Sequence, residues 1–350
     1  MKICFIDHPA HLWSGTTEFF IEILRHYGEV SEFYPTKINV EEVLVEALEE
    51  DFDLYVFYQF DFMAYGFVAA GKKVIIVPMV DGSSAFGLRH WNLLRGARVW
   101  SWSINLHQFC RLIGLDSYHT QYWPEPEIPK KQNVENYFYY WYRGDYSQWN
   151  LARIYKLLAE NYPLHKFIIR DETKVGSFPK LKNSSVVSGL TRKEHLNYLL
   201  NCSAFIAPRP SEGLGFSFVE ALQLGVPVIG YEYPTMNEYI LDNKTGWTIK
   251  FMQKKPVPLL DFVQMRKKIH ELNAHNHLKF QSGLNNFDSL MKFSDFESQR
   301  LFAKKKSTKK FELIDYSVRI YKGEAFPGGI KKPFHYFIML KVFLNLFFRK

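Results

Sequence analysis

Cysteine is scarce in this chain, at 3 of 350 residues. Cys4, Cys110 and Cys202 are odd in number and lack metal-ligand spacing, and Cys4 and Cys202 sit inside apolar runs. That pattern excludes a disulfide framework and fits a reducing compartment such as the cytoplasm. The N-terminus lacks a basic start followed by an apolar stretch. Lys2 to Asp7 already has the character of a strand, so secretion is not expected. No apolar run reaches the ~20 residues that span a bilayer. No Asp-x-Asp pair occurs either, since Asp53 and Asp61 bracket a whole strand rather than one coordination shell. The expectation is therefore no metal and no cofactor. A Gly-x-Gly-x-x-Gly turn is missing after the first strand of either half, which argues against a Rossmann oxidoreductase. Internal repeats are absent as well.

What is present has the composition of a globular protein, with 47% hydrophobic and 23% charged residues. A length of 350 residues exceeds what one core usually organises, so two domains are expected. The net charge of +8 is uneven: −7 over residues 1–130, +3 over 131–250 and +12 over 251–350. Lys304, Lys305, Lys306, Lys309 and Lys310 cluster, followed by Lys331, Lys332, Arg349 and Lys350. An anionic surface is the expected partner of this segment. The basic residues form no RNA- or DNA-recognition motif, so no nucleic-acid partner is expected.

In the first 130 residues, apolar runs at Ile3–Asp7, Phe33–Tyr34, Leu54–Phe60, Val74–Met79 and Val99–Ser103 alternate with helical patterns such as Glu18–Tyr27 and Val40–Glu50. Continuous apolar runs between helices predict a parallel, doubly wound sheet. The rhythm restarts at Tyr137–Tyr142, Lys166–Arg170, Val186–Ser188, Ala204–Ala207 and Val226–Tyr231, which predicts a second Rossmann-like domain. Between them, Pro124, Pro126 and Pro129 interrupt helix and sheet alike. The predicted division is residues 1–123 as the first, acceptor-side domain, 124–133 as linker, 134–290 as the second domain and 291–350 as a basic extension. Two such sheets facing each other would form a cleft between domains.

From Arg209 to Gly230 the sequence is Arg-Pro-Ser-Glu-Gly-Leu-Gly-Phe-Ser-Phe-Val-Glu-Ala-Leu-Gln-Leu-Gly-Val-Pro-Val-Ile-Gly. Two carboxylates, Glu212 and Glu220, stand eight positions apart around a glycine-bearing turn into a helix. The backbone from Gly213 through Leu214 and Gly215 to Phe216 can approach a ligand closely, and amides at a helix start favour an anion such as a pyrophosphate. Glu220 is expected about two helical turns further in, roughly 12 Å away at ~1.5 Å per residue.

This stretch resembles the donor site of the retaining glycosyltransferases with the GT-B fold, whose pattern is Glu-Gly-x-Gly-x-x-x-x-Glu-Ala followed by Gly-x-Pro-Val-Ile. The match covers Glu212, Gly213, Gly215, Glu220, Ala221, Gly225, Pro227, Val228 and Ile229, and again Glu238 and Gly246. The resemblance implies an α/β GT-B protein that moves a sugar, with retention and without metal, from a nucleotide-sugar donor to a glycan or lipid-linked acceptor. It implies Glu212 on the sugar, Glu220 on the ribose, and an arginine and a lysine on the pyrophosphate. Arg143, in Trp141-Tyr142-Arg143-Gly144-Asp145, fits the arginine. The lysine has no counterpart between Tyr146 and Asn150, and Arg153 and Arg209 are the alternatives for that charge.

In the first half the family's glycine-rich loop is reduced to Gly15, beside Ser14 and Thr16. Those residues are expected either at the donor, from a helix start, or as an ordinary helix cap. Asp81, with Gly82 after the fourth strand, is either a catalytic acceptor-side residue or a turn. His107, His119 and His195 lack partners recognisable from sequence. From Pro333 to Lys350 an aromatic, basic helix is predicted, either interfacial at a membrane or packed on the protein itself. The peripheral cytoplasmic membrane face is the expected location. The rival to the enzyme is a glycosyltransferase-like subunit that has lost catalysis and binds nucleotide sugar.

Overall fold

The computed structural model describes residues 1–127, 133–146, 149–173, 181–291, 309–325, 333–334 and 337–338. The expectations for Lys304 to Lys306, Lys331, Lys332, Arg349, Lys350, most of the proline-rich stretch beyond Glu127, and nearly all of the terminal helix lie outside the described residues. The chain divides into two compact units, Met1–Gln121 with Gly283–Lys350, and Tyr122–Ser282. Each carries one six-stranded, wholly parallel sheet, as the alternation of apolar runs and helices predicts.

In the first unit the strands are β1 (Lys2–Ile6), β2 (Glu29–Phe33), β3 (Leu54–Tyr58), β4 (Val74–Val77), β5 (Arg98–Ser101) and β6 (Asp116–His119), in the order β2-β1-β3-β4-β5-β6. Every residue of β3 and of β4 is buried, because helices cover both faces of the sheet. The edge strands differ from the sequence expectation. β2 spans Glu29–Phe33 rather than Phe33–Tyr34, and β6 was not foreseen. Both are edges and only partly buried, so neither needs the apolar run that marks a central strand.

The helix Lys310–Lys322 docks on this unit against the short helix Tyr65–Ala69. Ser317 Oγ donates to the Phe62 carbonyl at 2.8 Å, and Tyr321 Oη donates to the Pro35 carbonyl at 3.0 Å. The approach needs glycine at position 66, where a Cβ would stand 2.4 Å from Ile314 Cγ1 and 3.0 Å from the Lys310 carbonyl oxygen. Of the aromatic segment that follows, Phe334 and Ile338 are buried, and Phe334 meets the Phe109 ring edge-on at 5.5 Å.

In the second unit the strands are β7 (Tyr137–Tyr142), β8 (Lys166–Asp171), β9 (Ser184–Val187), β10 (Ala204–Ile206), β11 (Val228–Tyr231) and β12 (Gly246–Ile249), in the order β12-β11-β10-β7-β8-β9. Relabelled from the first strand of the unit, that is the Rossmann order, which reverses direction between β7 and β10. The long helix Phe262–Gly283 ties off helix ends beside the sheet. Buried Asn273 donates to the carbonyls of Leu222 (2.7 Å) and Gln223 (3.1 Å) while accepting the Trp123 indole N–H at 3.2 Å. Arg266 does the same for Leu200 (3.1 Å) and Cys202 (2.5 Å). These side chains satisfy carbonyls that helix termini leave without intrahelical partners.

Gly66→Val is expected to overpack the Lys310–Lys322 contact and cost about 1–3 kcal/mol, read as a lower Tm. Unchanged thermal unfolding would mean that this helix does not seat on the first unit.

Candidate functional site

The reversal between β7 and β10 opens a crevice at their carboxyl ends, where open parallel sheets take ligands. Arg143 follows β7, and the loop from Ala207 to Gly215 follows β10, so topology brings together two stretches that lie more than 60 residues apart. The loop ends at Gly215, whose φ of +81° is left-handed and suits glycine. A Cβ there would also fall 1.9 Å from Phe218 Cε1. The helix begins at Phe216 and runs to Gln223. Glu220 is thus little more than one turn in, at ~6 Å of rise, and the expected two-turn separation is corrected: Glu212 to Gly215 is loop, not helix.

Glu212 is only 5% exposed. Arg209 grips its carboxylate with both ends of the guanidinium, Nε to Oε1 at 3.1 Å and Nη2 to Oε2 at 2.7 Å. Buried Thr235 Oγ1 donates to the backbone carbonyls of Glu212 (2.9 Å) and Gly213 (2.8 Å), which fixes the loop from below the side chain. A carboxylate has about four lone-pair directions, and Arg209 uses two.

Glu220 is held from another side. Arg192 hydrogen-bonds its Oε1, and His195 Nε2 lies 3.5 Å from its Oε2. The His195 Nδ1 faces the Tyr139 hydroxyl at 2.9 Å, so a tautomer with hydrogen on Nε2 serves both neighbours. Burial raises the Glu220 pKa, but the hydrogen bonds from His195 and Arg192 outweigh it and the net shift is downward.

A cationic cluster surrounds Arg143. Its guanidinium lies 4.1 Å from the centre of the Trp141 indole, and that of Arg170 lies 4.2 Å from the same ring. The register explains this: Trp141 on β7 pairs with Arg170 on β8, and Arg143 stands two residues beyond Trp141 on the same sheet face. Crowding by protein lowers the Arg143 pKa most, Glu212 pulls it up, and the like charges of Arg209 and Arg170 lower it further. Guanidinium stays charged regardless, and Arg170 is itself paired with Glu172, Nε to Oε1 at 2.7 Å.

Of the alternatives for the missing lysine, Arg153 turns to the carbonyls of Lys250 (3.1 Å) and Gln253 (3.4 Å), and Arg209 is engaged by Glu212. Arg170, which the sequence reading did not single out, stands beside Arg143 instead. Trp141, Arg192, His195 and Thr235 were likewise missed as site residues. Their place depends on strand pairing and loop contact, and only the strand-end position of Arg170 carried a signal.

In the first unit, Ser14 ends one helix and Gly15 and Thr16 lead into the next, Glu18–Arg25. Gly15, at φ +64°, closes the helix Pro9–Ser14, and Ser14 Oγ pairs with Thr16 Oγ1 at 2.9 Å. The next helix, Glu18–Arg25, begins three residues later with Thr17 at its N-cap, so Gly15 closes one short helix just ahead of the expected helix start. Asp81 occupies the first turn of the short helix Val80–Ser83 and is partly exposed. The wholly buried carboxylate of this region is Asp61, bonded by Ser83 Oγ at 3.0 Å and 2.7 Å from His90 Nε2. Asp7, also wholly buried, accepts from Thr17 Oγ1 at 2.9 Å and lies 2.7 Å from His11 Nδ1.

Residues 177–255, which hold Glu212 and Glu220, match the family model described as Glycosyl transferases group 1. A comparison with curated protein sequences finds no match. Among solved structures the chain is similar to Anabaena HepE in complex with UDP, at 14% identity over 92% of this chain and 99% of that one, with a TM-score of 0.49. It is similar to the lipopolysaccharide outer core galactosyltransferase WaaB, at 12% identity over 91% and 99%, with a TM-score of 0.49. For S. aureus TarM the identity is 16% and the TM-score 0.46. The match covers 77% of this chain but only 58% of TarM, less than two thirds of its length.

The lowered Glu220 pKa has a pH consequence. Stability from its ion pairs is complete above the ordinary carboxylate pKa of 4.5 and is lost as pH falls through the lower folded value. The stability difference between wild type and Glu220→Gln is therefore expected to be constant above about pH 5.5 and to shrink below pH 4.5. Denaturant titrations across that range check it, and a gap independent of pH would remove the ion pairs.

Proposed function

We propose that the chain transfers a sugar from a nucleotide-sugar donor to a glycan or lipid-linked acceptor, with retention of configuration and without a metal ion. The observation that carries the reading is the placement of Arg143 and Arg170 beside the Arg209–Glu212 pair at the crevice between β7 and β10. The match of residues 177–255 to the group 1 glycosyl transferases supports it.

In this reading the diphosphate lies against Arg143 and Arg170, with the first amides of the Phe216–Gln223 helix on its other side. When the sugar–phosphate bond breaks, its electron pair moves onto the phosphate oxygen, and fixed guanidinium charges stabilise it there without reorganisation. Leaving-group charge can thus be met by protein alone. Glu212, aimed by Arg209 and Thr235, accepts from sugar hydroxyls. Glu220, aimed by Arg192 and His195, accepts from the ribose. Backbone from Gly213 through Leu214 and Gly215 to Phe216 lies along the sugar and phosphate, and Asp81, Ser14 and Gly15 are proposed on the acceptor side and near the donor.

A cell-envelope glycan acceptor at a membrane face is also part of the proposal, on the strength of the +12 charge over residues 251–350. No helix among the described residues is long and apolar enough to cross a membrane.

Glu212→Gln is expected to leave the fold intact and to reduce transfer by on the order of 10²-fold or more, and Arg143→Ala to lower kcat as well as donor affinity by a similar factor. Turnover is assayed with a panel of nucleotide sugars, and the anomeric configuration of the product is read by NMR. Activity is expected to survive EDTA. Loss on chelation with recovery on manganese or magnesium would contradict the metal-free mechanism, and wild-type turnover by Glu212→Gln would remove that residue from the site.

A further inference from the structure

The second unit carries an exposed apolar tip that takes no part in the site described above. Strand β12 ends at Ile249, and the turn after it presents Phe251 and Met252 to solvent, 60% and 63% exposed. Met252 has a φ of +56°, in the left-handed region that glycine or asparagine ordinarily takes. A long apolar side chain there costs backbone strain, with little packing against the protein to offset it.

The turn is firmly braced. Arg153 Nη2 donates to the carbonyls of Lys250 (3.1 Å) and Gln253 (3.4 Å). The Gln253 side chain accepts the Lys250 amide at 3.0 Å and donates to the Lys255 carbonyl at 2.9 Å. A turn already held in shape loses little freedom when it binds. Its surroundings are cationic: between Asp242 and Asp261 the chain has four lysines and no carboxylate. Glu232 is within charge range of Lys250, whereas Lys254 and Lys255 stand exposed beside the tip. β12 is the edge of its sheet, and only β11 separates it from β10. Arg153, which ties the turn, lies in the first turn of the helix Leu151–Ala159, just beyond Arg143. Tip and crevice therefore lie at the same, carboxyl end of the sheet.

A partner must bury two apolar side chains on a projecting turn and meet the ammonium groups around them with anions. An acidic protein or a nucleic acid answers the lysines alone, and a neutral bilayer answers Phe251 and Met252 alone. An anionic bilayer does both, with headgroup phosphates at the level of the lysines and acyl chains beneath. We infer that the turn at residues 250–255 docks the second unit on an anionic phospholipid bilayer, with Phe251 and Met252 inserted. The docking rests on the turn alone; that it holds a sugar-transfer crevice at a membrane face rests on the transfer reading above.

The three native cysteines are buried, so Met252→Cys in the full chain directs a polarity-sensitive thiol fluorophore to the tip. Its emission is expected to shift to the blue on vesicles of equal parts phosphatidylglycerol and phosphatidylcholine at about 50 mM salt, and to stay unshifted on phosphatidylcholine alone. In sedimentation of the unlabelled chain with the same anionic vesicles, Phe251→Ser combined with Met252→Asn should lower partitioning by about tenfold through lost apolar burial. Lys254→Gln combined with Lys255→Gln should lower it by about tenfold or more. Asparagine suits a left-handed position, so the first variant should keep or raise the Tm of the wild type. Binding of UDP or GDP should be unchanged in both variants. The inference is overturned if the labelled chain shows no shift on anionic vesicles, if polyaspartate or RNA shifts it equally, or if either variant pellets as the wild type does. Docking that responds to the variants, in a chain that binds no nucleoside diphosphate, would uphold the turn and overturn the transfer reading.

Discussion

The second unit depends on a buried carboxylate that cannot be left alone. Glu212 is nearly enclosed, and an ionised carboxylate in that position is tolerated only with a partner whose geometry matches it. Arg209 supplies that match three residues upstream, with two parallel contacts that fix the direction of the carboxylate as well as its charge. Thr235, from beyond β11, then holds the peptide carbonyls on either side of the Glu212–Gly213 bond. Gly215 turns the chain into the next helix where any side chain would strike Phe218. The loop is rigid because each of these contacts closes a different degree of freedom, and a rigid loop presents its carboxylate in one geometry.

Beside that loop three guanidiniums, of Arg143, Arg170 and Arg209, meet two carboxylates, Glu212 on Arg209 and Glu172 on Arg170. Arg143 and Arg170 each lie over the Trp141 ring, 4.1 and 4.2 Å from its centre, a cation–π contact that offsets part of their repulsion. In the proposed reading an anionic phosphate relieves the repulsion between these like charges. Glu220 is the counterpart, a carboxylate kept ionised by Arg192 and His195 and suited to hydroxyls rather than phosphate. In the proposed reading these cationic and anionic groups meet the phosphates and the ribose of a nucleotide.

Much of this was legible in the sequence. Apolar runs such as Val74–Met79 and Tyr137–Tyr142 located the central strands, because a strand covered on both faces has no polar alternation to blur it. The Arg209–Gly230 stretch located the loop, because glycine, proline and carboxylate spacing there is under steric constraint. What escaped has a common cause. β6, with sequence Asp-Ser-Tyr-His, is an edge strand and needs no apolar run. Arg170 and Trp141 meet through the β7–β8 register, and His195 reaches Glu220 from a separate helix. Single-sequence patterns carry no information about which strand lies beside which. The helix expected after Gly15 starts at Glu18, and the short helix Pro9–Ser14 ahead of it, opened by Pro9 and the His8 cap, carried no apolar periodicity to mark it.

The central claim is that the crevice between β7 and β10 binds the diphosphate of a nucleotide. Hydrogen exchange of the full chain, with saturating UDP, GDP, ADP and dTDP in turn, tests it most directly. With the nucleotide that binds, the account predicts slowed exchange in Ala207–Ser217 and at the carboxyl ends of β7 and β8, around Arg143 and Arg170, with little change in the first unit's sheet. Slowing confined to the first unit, or absent from both carboxyl ends while a nucleotide is bound, would contradict it.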